Sequence, residues 1–115
     1  MTTTLYGIKA CDTMKKARVW LDANGTAYEF HDYRTRGITE ALLRSWAAEL
    51  GWQTILNRAG TTFRKLGPAL TADLTADAAI ALMAAHPSMI KRPILDHNGR
   101  RIAGFNPAVY AAAFA

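Results

Sequence analysis

The stretch TTLYGIKACDTMKKARVWL, residues 3–21, decides the fold of this chain. Its first part, residues 3–8, is rich in β-branched and aromatic residues and predicts a short strand. From about Asp12 to Asn24 the apolar residues recur at helical spacing, and the glycine that follows is a typical helix stop. Cys11 therefore lies at the junction between a strand and a helix.

The order of the remaining predicted strands and helices indicates the topology of the chain. Residues 27–33 alternate as a strand does, and a strand, a helix and a strand within about 30 residues predict a parallel βαβ unit. Residues 37–86 have a helical pattern, with candidate helix caps at Thr39 and Thr75. The C-terminal part predicts a strand over 89–96 that Pro93 interrupts, a turn at His97-Asn98-Gly99, a returning strand over 101–105 and a last helix over 107–114.

Together these elements predict an α/β chain with a thioredoxin-like fold. A parallel βαβ half and an antiparallel ββα half that share one mixed sheet form the thioredoxin topology. The helices over about residues 38–86 are then a helical insertion between the halves. A length of 115 residues fits a single domain over 1–115.

Composition and charge narrow the classes of function. The chain has 14 Lys and Arg against 9 Asp and Glu, a formal charge of +5 that is modest beside the basic faces of nucleic-acid-binding proteins. No window approaches the roughly 18 apolar residues of a membrane span, and residues 1–12 lack the pattern of a secretory signal. We therefore expect a cytoplasmic protein that binds no nucleic acid and no membrane.

The single cysteine, Cys11, is the main candidate for chemistry. The first N–H groups of a helix have no partner inside it, and together with the helix dipole they lower the pKa of a cysteine placed there. Lys9 and Lys15 add to this effect, whereas Asp12 opposes it. The alternative is that Cys11 is a small buried apolar residue. Because one cysteine cannot form an intrachain disulfide, a redox cycle requires a second thiol from outside the chain.

Pro93 and two arginines are further candidates. Proline cannot donate to a sheet ladder, and in the thioredoxin topology such a proline faces the cysteine, so we expect a cis Arg92–Pro93 bond. The alternative is an ordinary trans proline on an edge strand. Arginine binds carboxylates and phosphates through two parallel hydrogen bonds, which favours Arg92 and Arg58 as anion-binding residues. The histidines show no metal-ligand spacing, so we predict no metal site.

Five stretches together resemble the ArsC (arsenate reductase-like) family over nearly the whole chain. They are LYGIKACDTMKKARVWL at 5–21, HDYRTRG at 31–37, LNRAGTTFRKL at 56–66, IKRPIL at 90–95 and GFN at 104–106. Within the family the chain is most similar to the YffB-like branch of glutathione-dependent thiol reductases. It is more distantly similar to Spx-like transcription regulators.

This resemblance implies a thiol oxidoreductase in which Cys11 is the nucleophile. Glutathione is then a co-substrate, and no cofactor is bound. The residues that the resemblance implies for binding glutathione or the substrate are Lys9, Asp12, Thr13, Arg58, Lys91, Arg92 and Pro93. The other partners we expect are a glutaredoxin or a thiolated protein, and we expect the chain to be a monomer.

Two alternatives remain open. One is an arsenate reductase that uses glutathione and glutaredoxin. The chain has Ala103-Gly104-Phe105 where such enzymes carry an arginine, and Asp12 follows the cysteine, so a trianionic intermediate would meet less positive charge. The other alternative is a non-enzymatic, Spx-like module that docks on a protein such as RNA polymerase. Met14 replaces the second cysteine of the Cys-x-x-Cys switch common in such regulators.

Overall fold

The computed structural model describes residues 3–9 and 11–115, with Leu70 described by its backbone alone. The chain divides into two compact units. The first comprises the chain up to Tyr33 together with Arg92–Ala115, and the second comprises Arg34–Lys91. In the described parts of the chain, no helix has both the length and the apolar character needed to cross a membrane.

The first unit contains a mixed four-stranded sheet with the strand order β2-β1-β3-β4. Strand β1 (Thr3–Gly7) pairs in parallel with β2 (Glu29–Asp32) and antiparallel with β3 (Ile94–His97), which pairs antiparallel with β4 (Arg100–Ala103). The parallel half and the antiparallel half therefore share β1 and β3 as central strands. This arrangement confirms the α/β, thioredoxin-like fold predicted from the element order.

Two helices complete the first unit, and both begin at the residues where the sequence predicts them. Helix α1 (Asp12–Ala23) starts directly after Cys11 and buries Met14, Ala17 and Leu21 in the core of the unit. The last helix of the chain (Pro107–Phe114) is capped by Asn106, whose side-chain oxygen accepts from two backbone N–H groups at 2.9 and 3.2 Å. The buried core of this unit consists of Leu5, Met14, Ala17, Leu21, Leu95, Ile102 and Tyr110.

The predicted hairpin turn between β3 and β4 is also confirmed. His97 pairs with Arg100, so Asn98 and Gly99 are the two central turn residues. Their φ angles are +55° and +79°, which lie in the left-handed region that asparagine and glycine tolerate best.

The second unit consists of short helices. They are α2 (Tyr33–Arg36, which starts in the first unit), α3 (Glu40–Leu50), α4 (Trp52–Ile55), α5 (Thr61–Leu66), α6 (Pro68–Thr71), α7 (Ala76–Ala85) and a 3-10 helix (Pro87–Met89). We number the last helix of the chain α8. The predicted caps are confirmed, because the Thr39 and Thr75 hydroxyls accept from backbone N–H groups in the first turns of α3 and α7.

The strand predicted over 89–96, with an interruption at Pro93, is confirmed after the proline and is wrong before it. The backbone of this segment bonds inside the second unit, where the Met89 carbonyl accepts from the Asn57 N–H and the Lys91 N–H donates to the Ile55 carbonyl, both at 2.7 Å. Strand β3 starts only after Pro93, which has no N–H for a ladder. The Arg92–Pro93 bond is cis, as the sequence analysis predicted.

The end of β1 packs tightly on the first turn of α1. A Cβ atom added at Gly7 would lie 2.2 Å from the sulfur of Met14, a side chain with no exposed surface. Only glycine lets the two elements approach this closely.

We expect Gly7→Ala to lower the free energy of unfolding by about 1–3 kcal/mol, because a buried Met14 side chain must repack. Urea unfolding measures the change. The matched control is Gly7→Ala combined with Met14→Ala, which provides space for the new methyl group. If Gly7→Ala costs as much in the Met14→Ala background as alone, the close contact is not the cause.

Candidate functional site

Cys11 occupies the N-cap position of α1. Its backbone is extended, with φ −150° and ψ 129°, and its carbonyl oxygen accepts from the Lys15 N–H at 3.0 Å. The side chain is half-buried and packs against the core of the first unit. The thiol is thus held by the scaffold while part of its surface stays open to a reactant.

The surroundings of Cys11 favour its thiolate form. Burial alone raises the pKa of the thiol. The backbone N–H of Met14, the Arg92 side chain and the backbone N–H of Thr13 more than offset this effect through hydrogen bonds, and the Arg92 charge adds to them. The net pKa of Cys11 is lower than that of an ordinary cysteine, which is the direction the helix-start argument predicts.

Arg92 connects the thiol to a buried tyrosine. Its guanidinium donates a hydrogen bond to the Cys11 sulfur and another to the Tyr33 hydroxyl. Burial raises the pKa of Tyr33 beyond its usual range, and the positive charge of Arg92 opposes this only in part, so the phenol stays neutral. Arg92 thereby directs its charge at the sulfur from a position that Tyr33 helps to hold.

An open cavity of about 540 Å³ lies beside the thiol. Its lining residues are Lys9, Cys11, Asp12, Lys15, Arg18, Val19 and Asp22. Arg18 is held there by Tyr28, whose hydroxyl accepts from Nε at 3.3 Å, and by the Phe30 ring, whose centroid is 4.8 Å from the guanidinium carbon. The cavity therefore offers positive groups to an anionic ligand at the sulfur.

The first unit brings together most of the residues singled out in the sequence. Lys9 and Asp12 line the cavity with Cys11, Thr13 contributes its N–H to the sulfur, and Arg92 contacts the sulfur directly. Pro93 is buried and follows the cis bond after Arg92.

The other two residues, Arg58 and Lys91, belong to the second unit. Arg58 is exposed, and its guanidinium carbon lies 5.9 Å from the centroid of the Trp52 ring. The Lys91 side chain is exposed too, while its N–H is bonded to the Ile55 carbonyl.

Tyr33 is a site residue that sequence reasoning missed. It directly follows β2 and has no exposed surface, but in the sequence it is only one position of an alternating strand. The available signal was topological, because β1 and β2 are parallel and their C-terminal ends meet at one edge of the sheet. Tyr33, after β2, and Cys11, shortly after β1, therefore lie at the same edge.

Comparison with known families and structures gives a consistent result. Residues 6–113 match the model of the ArsC family. A solved structure called YffB protein is 64% identical, covers 99% of this chain and 100% of its own, and superposes with a TM-score of 0.96. The solution structure of an arsenate reductase-related protein from Brucella melitensis is 49% identical, covers 99% and 95% of the two chains, and has a TM-score of 0.78.

Sequence relatives extend the picture at lower identity. A protein of unassigned function from Haemophilus influenzae is 39% identical over 97% of this chain and 98% of its own length. The global transcriptional regulator Spx of Streptococcus mutans is 30% identical over 90% of this chain and 76% of its own.

Replacing Arg92 tests the electrostatics of the thiol. We expect Arg92→Gln to raise the pKa of Cys11, because it removes a charge and weakens a charged hydrogen bond. The pH dependence of alkylation by iodoacetamide measures this pKa. The matched control is Arg100→Gln, an exposed arginine at the start of β4. Equal alkylation profiles for Arg92→Gln and the unmodified protein would contradict the assignment.

The same interaction makes stability depend on pH. Because the pKa of Cys11 is lower in the folded than in the unfolded chain, folding favours the thiolate, and this contribution is present above the unfolded pKa. It is lost as the pH falls through the folded pKa. We expect the free energy of unfolding to show this rise with pH in the unmodified protein and not in Cys11→Ser, as measured by urea unfolding across that window. Parallel curves of the free energy of unfolding against pH for the two proteins would mean that folding does not change the pKa of the thiol.

Proposed function

From the premise that this chain belongs to the ArsC family, we propose that it is a glutathione-dependent thiol oxidoreductase that acts through Cys11 alone. Membership of the ArsC family and the likeness to an arsenate reductase-related structure support a function as a thiol reductase. The observation that carries the finer proposal is a half-buried thiol of lowered pKa that contacts Arg92 and opens to a cavity lined by both basic and acidic side chains. We place the reaction in the cytoplasm, where glutathione keeps thiols reduced.

The proposed cycle has two exchange steps. The Cys11 thiolate attacks the glutathione sulfur of a mixed disulfide between glutathione and the substrate. The sulfur–sulfur bond breaks, and the leaving substrate thiolate takes a proton from water. Cys11 is then joined to glutathione in a mixed disulfide. A second glutathione thiolate attacks the glutathione sulfur, releases Cys11 as thiolate and forms glutathione disulfide. The net reaction converts one mixed disulfide and one glutathione thiol into the substrate thiol and one glutathione disulfide.

The external thiol is a requirement of this chain. Its sequence contains one cysteine, so no second thiol of the same chain can resolve the mixed disulfide. A glutaredoxin or a thiolated protein is a further candidate partner for the same exchange.

Charged and backbone groups are proposed to hold glutathione. Its two carboxylates suit the ammonium group of Lys9 and the guanidinium group of Arg92, since arginine forms two parallel bonds to a carboxylate. The role of Arg58 stays a prediction from the family resemblance. Backbone groups of Lys91 and Arg92 before Pro93 are proposed to pair with its peptide, as an added strand does. The Lys91 N–H already donates to Ile55, so its carbonyl oxygen is the group proposed for this pairing.

A disulfide suits this site better than arsenate. Ala103-Gly104-Phe105 offers no arginine near the last helix, and Asp12 brings a negative charge to the cavity that Cys11 lines. A trianionic intermediate would meet this charge directly, whereas a disulfide brings no charge at the reacting sulfur. An assay of arsenate beside a glutathione mixed disulfide compares the two activities in one preparation.

Cys11→Ser tests the proposal. Serine keeps a capping side chain at the start of α1, but its hydroxyl is a poor nucleophile, so we expect glutathione-dependent disulfide reduction to fall on the order of a thousandfold or more. Mass spectrometry should find one glutathionyl group on the unmodified protein after exposure to glutathione disulfide, and none on the variant. Undiminished turnover by Cys11→Ser would refute the proposal, and absence of turnover by the unmodified protein would favour a Spx-like binding module.

A further inference from the structure

An apolar groove runs along α1 next to the cavity at the thiol. We call it the α1 groove; it has a volume of about 450 Å³ and is lined by Lys15, Lys16, Val19, Trp20, Ala23 and Phe105. Its surface is almost entirely carbon. Val19 is 59% exposed and adds its side chain to this continuous apolar surface.

Part of the wall of the groove is fixed by the core. Trp20 packs edge-on against the buried Tyr110 with ring centroids 5.6 Å apart, and Phe105 does the same at 4.9 Å. A wall that is already ordered loses little side-chain freedom when a ligand binds to it, which favours binding. These are the properties of a preformed apolar subsite.

The groove is continuous with the reactive site. Lys15 and Val19 line both the groove and the cavity that contains Cys11. With about 1.5 Å of rise per helical residue, the groove begins about 6 Å from Cys11 along the axis and ends about 18 Å from it. A ligand attached to the Cys11 sulfur can therefore extend into the groove without leaving the surface.

This distance favours a peptide over a compact thiol. An extended chain advances about 3.3 Å per residue, so a side chain two to five residues from a reacting cysteine reaches the groove. A small thiol such as free cysteine ends before it. The charge of the rim adds a second preference, because Lys15 and Lys16 are the charged lining residues and no acid lines the groove in the described part of the chain.

We propose that the α1 groove binds the protein half of a glutathione–protein mixed disulfide. The segment it fits has a bulky apolar side chain two to five residues from the glutathionylated cysteine, with acidic residues beside it. This inference rests on the proposed function and adds to it the class of substrate, a glutathionylated acidic peptide segment.

The reaction remains balanced with this substrate. The Cys11 thiolate attacks the glutathione sulfur, the bond to the protein sulfur breaks, and the protein thiolate leaves from the side of the groove and takes a proton. Glutathione then resolves the Cys11 mixed disulfide. The net change converts one protein mixed disulfide and one glutathione thiol from solution into one protein thiol and one glutathione disulfide.

Matched glutathionylated peptides test this substrate class. The first carries leucine three positions after the cysteine with glutamates on both sides, the second has alanine for the leucine, and the third has lysines for the glutamates. We expect the first to have a kcat/KM about tenfold higher than either of the others. It alone combines an apolar side chain for the groove with acidic residues for the lysines that line it. Equal values for the three peptides overturn the proposal.

Lys16→Glu tests the groove itself. Lys16 is exposed and lines the groove without lining the cavity at Cys11. We expect the kcat/KM ratio of the first peptide over the glutathione–cysteine disulfide to fall about tenfold. Arg100→Glu is the matched control, since it makes the same charge change at an exposed position outside the groove, and its ratio should equal that of the unmodified protein. An equal fall in both variants means that net charge, and not the groove, selects the peptide.

A binding measurement separates this inference from the proposed function. The first peptide with serine for its cysteine cannot react, and in NMR titrations we expect it to shift the amide signals of Lys16, Ala23 and Phe105. If the unmodified protein reduces the glutathione–cysteine disulfide but these signals stay fixed, the groove proposal is wrong and the proposed function stands. If the signals move but neither disulfide is reduced, the proposed function is wrong. Self-association of the protein that Lys16→Glu abolishes, measured by sedimentation, would assign the groove to a second copy of the chain and overturn the proposal.

Discussion

The stabilisation of a negative charge on one sulfur is the interaction on which the site depends. The Cys11 thiolate receives hydrogen bonds from the first turn of α1 and from Arg92, and these outweigh the cost of its partial burial. They are available only because β1 ends and α1 begins within a few residues, in close contact. Gly7 permits that contact with Met14, whose backbone N–H is itself one of the donors to the sulfur. Backbone geometry and thiol chemistry are thus linked through the same turn.

The parts of the fold that follow from local rules were predictable from the sequence. A helix cap such as Asn106 or Thr39 acts through hydrogen bonds to N–H groups a few residues away. The Asn98-Gly99 turn depends on the φ angles of its own two residues. In both cases the local sequence carries the signal. The course of the segment at Met89 was not predictable in this way. Its apolar residues suit a strand, whereas its backbone bonds to the distant residue Asn57. Helix α5 is short and buries no residue completely, so it leaves no clear apolar stripe in the sequence.

The candidate site likewise has a part that the local sequence predicts and a part that depends on distant contacts. The position of Cys11 at a helix start is local, and with it the direction of its pKa shift. Arg92 could be linked to the sulfur only through the predicted topology, since 80 residues separate it from Cys11 in the sequence. Tyr33 required knowledge of which strand ends meet, and nothing in its own neighbourhood distinguishes it from a core aromatic residue. Long-range contacts of this kind are set by packing, which one sequence does not display.

A reactive thiol by itself selects little, since any accessible disulfide exchanges with a thiolate. Selection must come from the surfaces beside the sulfur, and these differ in character. The cavity at Cys11 presents charged side chains, three basic and two acidic among the described residues, whereas the adjoining groove presents Trp20 and Phe105 held by the core. A mixed disulfide has two unlike halves joined at the reacting bond. A charged surface and an apolar surface that share Lys15 and Val19 match those halves better than they match a symmetric disulfide or a small oxyanion.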